Sequence, residues 1–66
     1  MITINDAASP HRADMTLLDA LTEGAVDING PVLITLNGTF VGRDAYRDTP
    51  VQDGAEILVM RVVSGG

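Results

Sequence analysis

No cysteine and no lysine occur among the 66 residues, and tryptophan is also missing. The absence of cysteine removes disulfides, thiolate zinc sites and a cysteine nucleophile together. It fits a reducing compartment. The absence of lysine means that no side chain of this protein can form an isopeptide bond. The longest unbroken aliphatic run, Ile57-Leu58-Val59-Met60, is far too short to span a bilayer. The N-terminus has no basic region followed by an apolar run, so no signal peptide is visible and a cytoplasmic location is expected.

What is present bounds the answer further. A chain of 66 residues is one small domain. A domain of this size buries only about 60% of the surface its unfolded chain exposes, which leaves no room for a deep pocket plus its scaffold. A self-contained enzyme is therefore not expected. Hydrophobic residues make up 45% of the chain, enough for a globular core rather than disorder. Four arginines against nine acids give a net charge of −5, which repels phosphate backbones and suits a basic protein partner.

Residues 1–5 alternate, with Ile2 and Ile4 on one side, as in a half-buried strand. Asp6 to Pro10 is turn material, and a short return strand is expected around residues 8–13, confined to an edge by Pro10. Thr16 to Glu23 is the one good helix. Thr16 is a fitting N-cap, Asp19 completes a shortened capping box, and Leu17, Ala20 and Leu21 form an apolar stripe. Gly24 stands where a left-handed C-terminal residue is wanted. Val32 to Leu36 reads as a strand, Asn37-Gly38 as a hairpin turn, and Thr39 to Val41 as its return. Residues 42–52 are polar and irregular, with a helical turn at Asp44 to Arg47. Asp53-Gly54 turns the chain into the most strand-like segment, Glu56 to Val63. One helix on one face of a mixed sheet makes an α+β two-layer domain, whose other face is open.

The final strand has two apolar sides. Leu58, Met60 and Val62 are assigned to the core under the helix. That leaves Ile57, Val59, Arg61 and Val63 on the open side as a partner-binding patch, with Phe40 at its rim. The strand then runs into Ser64-Gly65-Gly66, residues that add nothing to a fold. Glycine suits a thin thread that enters a narrow active site on another protein, which makes the Gly66 carboxylate the candidate reacting group. The domain is thus read as residues 1–63, with 64–66 as a flexible tail.

Other constellations are poor. His11, the single histidine, reads as a surface loop residue without a metal-binding partner. Arg43 and Arg47 are expected to pair with nearby acids at little energetic gain. Neither a Ser-His-Asp set nor a phosphate-binding glycine loop is readable.

The whole chain resembles the ThiS-like sulfur carriers of the ubiquitin-like β-grasp superfamily. The likeness is carried by Thr16-Leu17-Leu18-Asp19-Ala20-Leu21, Leu36-Asn37-Gly38, Val41-Gly42-Arg43, Thr49-Pro50-Val51, Asp53-Gly54 and Val62-Val63-Ser64-Gly65-Gly66. Two positions depart from the usual pattern, Gly42 for proline and Ser64 for alanine. The resemblance implies a β-grasp fold of about five strands with one main helix, and a carrier rather than an enzyme. It implies that a ThiF-like adenylyltransferase, using ATP and Mg²⁺, activates Gly66. A sulfur donor such as a cysteine desulfurase relay then leaves a thiocarboxylate, and a ThiG-like thiazole synthase takes the sulfur for thiamin. No metal or cofactor on the chain itself is implied. Carriers for molybdopterin, cysteine or tRNA thiolation, and ubiquitin-like protein modifiers, share these features and remain alternatives.

Overall fold

The computed structural model describes residues 1–61. The elements run β1 (Ile2–Ile4), β2 (Ala7–Ser9), α1 (Leu17–Glu23), β3 (Val32–Leu36), β4 (Thr39–Val41), a 3-10 helix (Arg43–Asp48) and β5 (Glu56–Arg61). The strands form one sheet in the order β2-β1-β5-β3-β4. β1 and β5 run parallel at its centre, and the other pairs are antiparallel.

Hairpin turns set the two outer pairs. Asn37 and Gly38 both have positive φ (52° and 83°), as a tight two-residue hairpin requires. Asn5 and Asp6 do the same at 51° and 68°. That second turn makes β2 start at Ala7 and stop at Ser9, earlier than the return strand expected around residues 8–13. Pro10, with no N–H to donate, follows its end.

The helix begins as its sequence requires. The Thr16 side chain accepts from the Asp19 N–H at 3.2 Å, and the Asp19 carboxylate accepts from the Thr16 N–H at 3.1 Å. This reciprocal box holds the Asp19 carboxyl below its ordinary range, first through the Thr16 N–H and then through the Thr16 side chain. The C-terminus differs from expectation. Gly24 has φ −81°, and the left-handed residue is Ala25 at φ 57°. The Ala25 N–H reaches the Thr22 carbonyl at 3.1 Å and the Val26 N–H reaches that of Leu21 at 2.9 Å, which together form a Schellman ending. Gly24 sits against the Ile4 side chain instead. A Cβ there would lie 2.7 Å from Ile4 Cδ1.

The core lies between α1 and one sheet face. Leu17, Ala20 and Leu21 meet Ile2, Ile4, Ile34 and Ile57, with Met15, Tyr46, Val51 and Ala55 closing the margins. Each fully buried aliphatic contributes about 1.5–3 kcal/mol. The segment read as irregular is strapped to the helix entry. The Leu17 N–H donates to the Thr49 carbonyl at 2.8 Å, and the Val51 N–H to that of Met15 at 2.9 Å. The 3-10 helix contains the helical turn read at Asp44 to Arg47, extends it by a residue at each end, and supplies Tyr46 to the core.

The phase of β5 is the opposite of the sequence assignment. Ile57 lies opposite Ile4 and Leu36, and Val59 opposite Ile34. Residues directly paired across a ladder share a face, so the buried Ile4 and Ile34 carry Ile57 and Val59 to the helix side. Ile57 is 1% exposed, and Val59 packs against the core margin. Leu58 and Met60 face outward instead. Arg61 follows the phase of Ile57, opposite Val32, and is exposed. It therefore does not lie on the open face.

Candidate functional site

The open face of the sheet carries an apolar patch built by register. Phe40, Thr35 and Leu58 form one row across β4, β3 and β5. Leu33 and Met60 form the next row, toward the end of β5 that leads to the C-terminus. Phe40 is the most exposed member at 60%, and Leu33, Leu58 and Met60 are also exposed. Large apolar side chains clustered on one exposed face mark an interaction surface more than scattered ones do. The opposite end of the same face is polar, with Asn37 and Glu56 side by side at the turn.

Inside the patch, the Thr35 hydroxyl oxygen is buried and has no hydrogen-bond partner among the described residues. Its strand neighbours in the row, Phe40 and Leu58, offer it carbon only.

Two asparagines fix the strand that delivers the C-terminus. The Asn37 side-chain oxygen accepts from the Glu56 N–H at 2.9 Å. The Asn5 side-chain oxygen accepts from the Val59 N–H at 2.8 Å, and its amide donates to the Val59 carbonyl at 3.3 Å. Asn5 has already turned away from β1, so its side chain does what a continued β1 backbone would have done. β5 is thereby held by β3 on one side and by Asn5 on the other.

Of the expected site residues, Phe40 stands on the patch. Ile57 and Val59 belong to the core side, and Arg61 shares their phase. Val63, Ser64, Gly65 and Gly66 lie outside the described residues, as does Val62, which was assigned to the core. The sequence reading missed Leu33, Leu58 and Met60. The available signal was the hairpin register. Once Asn37-Gly38 fixes β3 against β4, Phe40 must share the face of Thr35 and Leu33.

Other polar residues serve the scaffold. His11 is half-buried in its loop, and its Nε2–H donates to the Val51 carbonyl at 2.8 Å. Arg43 donates to the Gly30 carbonyl at 2.8 Å rather than pairing with an acid as expected. An open groove of about 530 Å³ lies between α1 and the 3-10 helix, lined by Leu18, Ile28 and Tyr46 together with both charges of Arg43, Asp44, Arg47 and Asp48. The ion pairs among the described residues join Arg12 to Glu23 and the Met1 ammonium to Asp53. The second pair holds the Asp53 carboxyl below its ordinary range. No helix among the described residues is long and apolar enough to cross a membrane.

A mixed five-stranded sheet with parallel central strands, one helix on one face and an apolar open face defines a β-grasp domain. The ThiS family model matches residues 2–66, and the chain belongs to that family of small sulfur carriers, which are not enzymes. The solved thiamine biosynthesis protein (ThiS) from Geobacter metallireducens has the same fold, with a TM-score of 0.80 and 25% sequence identity. The match covers 98% of this chain and 97% of that one. No curated protein matches the sequence.

Proposed function

We propose that this protein carries sulfur on its C-terminal Gly66 for the thiazole step of thiamin biosynthesis. The observation that carries the reading is a family match running through Ser64-Gly65-Gly66, on a fold that holds the preceding strand from both sides. The likeness to the Geobacter thiamine biosynthesis protein supports the choice of pathway.

A carboxylate is a poor electrophile, so activation comes first. A ThiF-like adenylyltransferase with ATP and Mg²⁺ converts the Gly66 carboxylate to an acyl-adenylate, releasing pyrophosphate. The terminal sulfur of a persulfide on a donor such as a cysteine desulfurase relay displaces AMP. A thiol then reduces the resulting acyl disulfide, which leaves a disulfide on the donor side and the thiocarboxylate on Gly66. That group is ionised at neutral pH and is a better sulfur nucleophile than a protonated thiol. A ThiG-like thiazole synthase takes the sulfur. The carrier's own contribution is a reacting terminus and a docking face.

The apolar patch of Leu33, Phe40, Leu58 and Met60 suits the adenylyltransferase contact, because it lies beside the strand end that must enter the partner's site. Its surroundings on an acidic molecule favour a partner surface with a basic rim.

Intact mass spectrometry tests the reading. The untagged protein is incubated with the adenylyltransferase, ATP, Mg²⁺ and a sulfur source. The expected result is a mass gain equal to exchange of one oxygen for sulfur, localised to Gly66. An unchanged mass with active partner enzyme would overturn the assignment.

A further inference from the structure

We propose that Asn29-Gly30 is a modification site at which the folded protein deamidates spontaneously, while the same dipeptide at Asn37-Gly38 is protected by its hairpin.

Asparagine before glycine is labile because glycine has no Cβ to hinder the approach of its own amide nitrogen. That nitrogen, after losing its proton to base, attacks the asparagine Cγ. The N–Cγ bond forms, the Cγ–Nδ2 bond breaks, and the leaving nitrogen takes a proton from water to depart as ammonia. Water then opens the succinimide. Attack at the side-chain carbonyl gives aspartate, and attack at the main-chain carbonyl gives isoaspartate. The sum is asparagine plus water giving an acidic residue plus ammonia. Ring closure needs rotation of both the asparagine side chain and its Cα–C bond.

The chain has three asparagines, at 5, 29 and 37, and the last two precede glycine. Asn37 cannot rotate freely. Its N–H donates to the Glu56 carbonyl at 2.7 Å, and its side-chain oxygen accepts from the Glu56 N–H at 2.9 Å. Leu36 and Thr39 pair across its turn, so closure must wait for the hairpin to open. Asn5 is clasped to Val59 and precedes Asp6, whose Cβ hinders attack. Asn29 differs on each count. It is exposed and lies outside every helix and strand. Its N–H donates to the Asp27 carboxylate at 3.0 Å, and its side chain has no hydrogen-bond partner among the described residues. Arg43 donates to the Gly30 carbonyl at 2.8 Å, and a positive charge beside this peptide favours the anionic nitrogen. Val32, soon after in the chain, pairs with Arg61. The new carboxylate therefore arises near the end of the sheet from which β5 leads to the C-terminus.

The test ages the untagged protein in mildly alkaline buffer, folded and in urea. Samples are cleaved at arginine and read by tandem mass spectrometry. Asn29 and Asn37 fall in one fragment, residues 13–43, so both are scored on the same molecules. In the folded protein Asn29 is expected to convert at least about tenfold faster than Asn37, which corresponds to a hairpin-opening cost of about 1.4 kcal/mol or more. In urea the two rates are expected to converge. Gly30→Ala has open space for its methyl group and is expected to lose most of the Asn29 conversion at an unchanged melting temperature. Equal rates in the folded protein would overturn the proposal. So would an Asn29 that converts only in urea, a rate difference that persists in urea, or a Gly30→Ala variant that converts as fast as the wild type.

Discussion

At the scale of single residues, the unusual atom is the Thr35 hydroxyl. It sits within the apolar row of Phe40 and Leu58, buried, with no partner among the described residues. A buried hydroxyl left unpaired costs about 1–3 kcal/mol. Valine keeps the branched shape and the strand preference while removing that cost. Thr35→Val is therefore expected to raise stability by about 1 kcal/mol, read as a higher midpoint in urea with an unchanged slope. A lower midpoint would show that the hydroxyl finds a partner in solution. Asn5 is the contrasting case. It has positive φ in a turn, which its short polar side chain tolerates. The same side chain completes the pairing of Val59. Its turn role follows local chemistry, but its bond to a residue 54 positions away does not, since nothing local encodes a long-range partner.

Among the elements, α1 shows how far local chemistry carries. Its start is written in four residues, Thr16 to Asp19, and the structure forms both bonds of the box. Its end is less legible. The glycine marks the right neighbourhood, yet the left-handed turn falls on Ala25, one residue further on, while a Cβ at Gly24 would press on the tip of the Ile4 side chain. A non-glycine residue in the left-handed region costs about 1–2 kcal/mol, and part of that is returned as the greater freedom of glycine in the unfolded chain. Ala25→Gly is thus expected to stabilise the domain by about 0.5–1 kcal/mol, measured by chemical denaturation. A destabilisation would mean that the Ala25 side chain contributes packing that outweighs its backbone strain.

For the whole molecule, the decisive quantity is the phase of β5. Element order, helix position and the Asn37-Gly38 hairpin were all legible, because each rests on neighbouring residues. The two faces of Ile57 to Met60 were not, because every residue there is apolar and either phase satisfies a core. Only the register against β1 and β3 breaks the tie, and register is a long-range fact. The exposed apolar patch therefore holds Leu58 and Met60, where the sequence reading placed Ile57 and Val59. The two faces can be separated by experiment. Ile57→Ala removes buried volume from under the helix and is expected to cost about 2–5 kcal/mol. That approaches the whole stability of a domain this small, so it should lower the melting temperature sharply or prevent folding. Leu58→Ser and Phe40→Ala change exposed side chains and are expected to shift stability by no more than about 0.5 kcal/mol. On a docking face, however, a central aromatic anchor is worth more than about 1 kcal/mol, so Phe40→Ala should weaken binding to the adenylyltransferase by at least about fivefold. Calorimetry of each variant, alone and titrated with the partner, reads both quantities. If Ile57→Ala melted like the wild type while Leu58→Ser unfolded, the register would be the reverse of the one described. If both exposed variants bound the partner with unchanged affinity, contact would fall to another face, and the groove beside α1 is the next surface to vary.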